Sequence, residues 1–159
     1  MENAVDATLV SDIARDVLAE LTPQEMTIFP AASRAYFADP AAAVKHSRTK
    51  DSALGFGVDS FVFFTPVVLP VLSEVFEFLT QVAKKAVEAG LAKEIPEIIK
   101  GMFCKFHSSG PDSPSVLTTE QIALVHTKVL ATAKRLRMPP DQARSLADAV
   151  TARLVMPKS

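Results

Sequence analysis

One cysteine, Cys104, is found among the 159 residues, so no intrachain disulfide braces the fold, which suits a reducing compartment. Neither sign of charge is in excess: 17 basic residues stand against 18 acidic ones, a net charge of −1. Such a chain sets up no long-range field toward nucleic acid or an acidic membrane, and a dedicated DNA-binding role is disfavoured. The sequence has no H-E-x-x-H, C-x-x-C, Walker loop or G-x-S-x-G, so none of the chemistries those spacings carry is indicated. Gly55-Phe56-Gly57 lacks the third glycine and the preceding strand of a phosphate-binding loop. No repeat of fixed period is present. Strand-type alternation is missing too, which leaves helices as the building material.

Histidine is sparse, at positions 46, 107 and 126. Cys104-Lys105-Phe106-His107 offers at most two zinc ligands where a structural site needs four, so Cys104 beside Met102 and Phe103 reads as a small core residue. The chain is therefore expected to carry no cofactor and no metal, and not to be an enzyme.

What is abundant is apolar surface. The apolar fraction is 48% with a positive mean hydropathy of +0.22, which leaves apolar area over for a partner. A chain of this length fits one domain, burying about 68–70% of its unfolded surface without disulfide or metal support. The opening MENAVDATLV carries acids where a signal peptide has a basic region, so no export signal is read and a cytoplasmic location is expected.

Residues 53–80 hold six of the ten phenylalanines, Phe56, Phe61, Phe63, Phe64, Phe76 and Phe78. From Phe61 to Leu72 there is no charge, yet a membrane-spanning helix needs about 20 apolar residues, and extending the window backwards takes in Asp59. Pro66 and Pro70 cannot both sit in an unperturbed helix interior. Either a helix starts at Pro66 with Thr65 as its cap, or a kinked helix runs from Ser60 past Thr80. Both versions give a proline-kinked, Phe-rich central helix. Its residues Phe56, Phe61, Phe63, Phe64, Val67 and Leu69 are the candidates to face a partner or a lipid membrane, with Lys45, His46, Arg48 and Lys50 upstream to meet anionic headgroups. Asp59, Glu74 and Glu77 flank this greasy sequence and are candidate buried acids.

In chain order, residues 5–21 place Leu9, Ile13, Val17 and Leu21 on one helical face. Thr22-Pro23-Gln24-Glu25 has the pattern of a capping box and predicts a second helix, interrupted at Pro30 and resumed over residues 31–37. Asp39-Pro40 opens a short alanine-rich helix, and residues 47–52 form a loop. After Thr80 a second long helical pattern carries Val87, Leu91, Ile95, Ile98, Met102 and Phe106, with a joint at Glu94 or Ile95 because Pro96 follows. Residues 108–115 are all Ser, Gly, Pro or Asp. They divide a helical unit over 1–107 from a helical hairpin over 118–155, with 108–117 as linker.

The hairpin starts at the capping box Thr118-Thr119-Glu120-Gln121. Its two stripes are Ile122, Val125, Val129, Ala133, Leu136 and Ala143, Leu146, Ala147, Val150, Leu154, turned by Met138-Pro139-Pro140-Asp141. Neither helix buries its stripe alone, so the pair must dock on the first unit or on another copy. As a helix-turn-helix it is a poor reader of DNA, since Asp141 and Asp148 lie on the presumed groove face. Lys134, Arg135 and Arg137 suit the helix dipole. The patterns LGFG…TPVVLPV and LTTEQ…RLRMPPDQA resemble small bacterial proteins and carry no site residues over to this chain.

The reading is an all-α multi-helix bundle. Its expected role is a non-catalytic protein–protein interaction or scaffold module, self-associating as a homo-oligomer or binding a protein partner through apolar surface. The alternative is a membrane-active protein, peripheral or pore-forming, that inserts residues 53–79. An enzyme with a pocket drawn from distant residues, or a helix-turn-helix DNA binder, are the minor alternatives.

Overall fold

Leu9, Ile13 and Val17 recur at helical spacing and are buried together on one face of α1, Ala7–Leu21. The computed structural model describes residues 7–41, 64–91, 94–104 and 117–155. Among them every regular element is helical, as the sequence predicts, and strand character is limited to one isolated bridge.

After α1 the chain makes a single 3₁₀ segment, Pro23–Thr27, and only then the helix α2, Phe29–Ala38. The expected α-helix from Pro23 does not form. Pro30 therefore does not interrupt a helix; it sits in the first turn of one, where its missing N–H costs nothing. The alanine-rich helix expected after Pro40 and the loop over 47–52 lie outside the described residues, apart from positions 40 and 41.

The longest helix is α3, Thr65–Ala86. Of the two versions predicted for this region, the structure takes the later start: Pro66 lies in the first turn and Pro70 inside the helix. Of its phenylalanines, Phe76 is buried and Phe78 partly so, and Val67, Val68, Leu69, Val71 and Leu72 in its first two turns are buried as well. No boundary falls at Thr80. Its hydroxyl donates to the Phe76 carbonyl one turn back at 2.7 Å, which satisfies the polar group inside the helix instead of ending it. The helix gives way to a wider turn, Val87–Leu91, in which Gly90 adopts φ 93.

Next, α4 spans Ile95–Gly101 with Glu94 extended before it and Pro96 in its first turn, so the predicted joint is where the proline put it. Phe103 then pairs with Leu154 in an antiparallel bridge, with Cys104 N–H donating to the Arg153 carbonyl and Val155 N–H to the Met102 carbonyl, both at 2.8 Å. Alternation across this extended pair buries Phe103 and turns Cys104 outward. Cys104 is exposed, not the core residue its apolar neighbours suggested.

The hairpin is α5, Thr119–Arg135, and α6, Pro140–Ala152. Thr118 Oγ1 accepts from Gln121 N–H at 3.1 Å while Gln121 Oε1 accepts from Thr118 N–H at 2.9 Å, the reciprocal box the sequence spells out. Besides packing on each other, α5 lies on α3 and α6 on α1, and α3 also meets α2 and α4. One continuous core results, with α3 in its middle. Arg153 fastens the end of α6 to α1, pairing with Glu20 at 2.8 Å and donating to the Asp16 carbonyl at 3.0 Å. Of the expected linker, residues 108–116 lie outside the described set, and Leu117 is a buried core residue.

Candidate functional site

Every α-helix starts with N–H groups that have no partner within the helix. At the start of α3, Pro66 has no N–H to satisfy, and Val67 and Val68 both donate back to the Phe64 carbonyl, at 2.9 and 2.8 Å. That leaves the N–H groups of Phe64 and Thr65. Both go to one side chain from a distant part of the sequence: Phe64 N–H donates to Glu25 Oε2 and Thr65 N–H to Glu25 Oε1, each at 2.8 Å. The Thr65 hydroxyl adds a third bond to Oε1 at 2.7 Å, and the Thr22 hydroxyl a fourth to Oε2 at 3.2 Å.

Glu25 is 2% exposed, the one buried acid among the described residues. Its charge is stabilised by four donors and by the positive end of the α3 dipole, and hydrogen bonds to a charged group are worth about 1.5–3 kcal/mol each. Removing the donors while keeping the charge buried costs more than the bonds themselves.

This geometry corrects the capping box predicted at Thr22. A box requires the Thr22 N–H to donate to the Glu25 carboxylate, but that N–H already donates to the Leu18 carbonyl at 2.8 Å, continuing α1 by one more bond. Thr22 accordingly makes no side-chain cap on the 3₁₀ segment, and the glutamate is free to turn toward α3. Thr65, predicted as the cap of the central helix, lies inside it; Phe64 holds the cap position and Glu25 performs the capping.

The predicted contact residues fall apart into three groups. Phe56, Phe61 and Phe63 lie outside the described residues, as does Asp59. Phe64 is half-buried at the head of α3. Val67 and Leu69 belong to the core, because the first turn of α3 faces its neighbours on more than one side. Of the predicted buried acids, the two that are described, Glu74 and Glu77, are not buried. Glu77 is exposed, and Glu74 is half-exposed, accepting from the Thr132 hydroxyl at 3.1 Å and pairing with Arg135. Among the described residues the buried acid is Glu25, which looked locally spoken for.

Other polar side chains are similarly occupied in joining helices. Tyr36 of α2 donates to Ser73 Oγ of α3 at 3.0 Å. His126 Nε2 of α5 and Asp148 Oδ1 of α6 lie 2.9 Å apart. Of the basic cluster, Arg135 is engaged by Glu74. Among the described residues no three His, Cys, Asp or Glu side chains come together as a metal site, and His107, the suggested companion of Cys104, lies outside them.

One apolar side chain reaches the surface near the cap. Ile28, whose N–H donates to the Glu25 carbonyl at 3.0 Å, is 40% exposed. It shares the turn that grips Phe64, which Phe63 precedes directly in the sequence and Phe61 by three residues. No protein-family model matches the chain, and no curated protein or solved structure is significantly similar to it.

Proposed function

We propose that the protein is a non-catalytic helical interaction module of the cytoplasm that associates with a second copy of itself through the apolar surface at the head of α3. The observation that carries this reading is the exposed Ile28 on the turn that holds Phe64, close in sequence to Phe61 and Phe63. An exposed apolar side chain such as Ile28 suits a contact with a partner better than a catalytic role. A net charge of −1 adds little repulsion between copies. The buried carboxylate and the interhelical pairs described above are engaged in holding the helices together, which supports a structural use of these polar groups.

Light scattering of the purified chain tests this. A mass above the monomer's 17.1 kDa, reduced toward it by Ile28→Asp with the helical circular dichroism retained, is the expected result. A monomer at every concentration overturns the reading.

A membrane-active protein is the second reading, and one observation favours it: the stretch Thr65–Gly90, 26 residues, is long and apolar enough to cross a bilayer. Against it, 61% of its most apolar window is buried inside the fold, as in the core helix of a soluble protein. Flotation with neutral and with anionic liposomes separates the two readings. Lipid binding that is lost on Phe63→Asp or Phe64→Asp favours insertion, and a defined oligomer that ignores lipid favours the interaction module.

A further inference from the structure

We draw no further inference here: the strongest candidate, the outward face of α5 where Leu124 lies exposed among Ala123, Thr127 and Ala131, is a surface patch with nothing in the structure to show what covers it.

Discussion

Phe76 of α3 and Phe103, just beyond α4, stack with ring centroids 5.3 Å apart and planes 16° from parallel. Both rings are fully buried. Phe103 is also the residue paired with Leu154, so this stack joins the central helix to the strand-like bridge that closes the C-terminal end of the fold.

Truncating one ring should therefore cost more than its own area. Phe103→Ala should destabilise the protein by about 3–5 kcal/mol, the range for removing a buried aromatic side chain. Phe103→Leu keeps most of the volume and should cost about 1–2 kcal/mol, part of it the lost ring pairing. Urea denaturation of the two variants checks the order. A Phe103→Leu variant as stable as wild type would mean the stack itself contributes little.

Tyr36 predicts a dependence on alkaline pH. Burial raises its hydroxyl above the ordinary value of 10.0, and the negative charges of Glu74 and Glu77 push the same way. The Ser73 hydroxyl pulls against them, because it can turn to donate to a phenolate. The folded chain thus keeps a proton that the unfolded chain has lost. This contribution is whole below about pH 10 and is lost as pH rises through the raised folded value. Tyr36→Phe should cost about 0.5–1.5 kcal/mol at neutral pH through the lost bond to Ser73. Above about pH 10 its stability should fall less steeply than wild type. The difference between the two urea midpoints, measured across that range, removes the lysine titrations common to both.

The two Thr-x-x-Glu/Gln sequences predict opposite responses to the same substitution. Thr118→Ala removes a formed capping box and should cost about 1 kcal/mol, within the usual range of 0.5–2. Thr22→Ala breaks no cap, because Thr22 has none; it removes a hydroxyl from the buried Glu25 carboxylate. Its effect should therefore appear as faster amide exchange at residues 64–65, in another helix, while exchange in the Pro23–Thr27 turn is little changed. Loss of protection confined to that turn would restore the local reading.

Legibility follows the range of the interactions. The stripes of α1, α5 and α6 could be read directly, because burying one face of a helix leaves its period in the sequence: Leu9, Ile13 and Val17, then Val125, Val129 and Ala133, then Leu146, Ala147 and Val150 are all core. Glu94 was legible as a joint because Pro96 acts on its immediate neighbour. Glu25 was not legible, since its partners are 39 and 40 residues away and a local partner seemed to be waiting at Thr22. One signal did exist. A helix opening on Thr65-Pro66 and a run of valine and leucine has no acceptor of its own for its first N–H groups, so one had to come from elsewhere. Val87 was assigned to a buried stripe with Leu91 and Ile95, but it is partly exposed, because the left-handed Gly90 breaks the helical period between them.

Among the described residues two have positive φ, and they predict changes of opposite sign. Gly90 at φ 93 ends the turn after α3, and a methyl group built there would touch nothing within 4 Å. Arg137 at φ 68 follows α5, where Met138 N–H reaches the Ala133 carbonyl and Arg137 N–H the Lys134 carbonyl, both at 2.9 Å, forming a Schellman motif around an arginine. A side chain in the left-handed region costs roughly 1–2 kcal/mol, and glycine offsets this by its greater entropy when unfolded, roughly 0.5–1 kcal/mol. Gly90→Ala should accordingly destabilise by about 0.5–1 kcal/mol through backbone strain alone. Arg137→Gly should stabilise by a similar amount, since Arg137 is exposed and its backbone bonds remain. Thermal denaturation of the two single variants and the double variant checks the pair. The sites lie in separate turns, so the double variant should return close to the wild-type stability. A loss on Arg137→Gly would mean that the guanidinium has a partner in solution that outweighs the strain of its backbone.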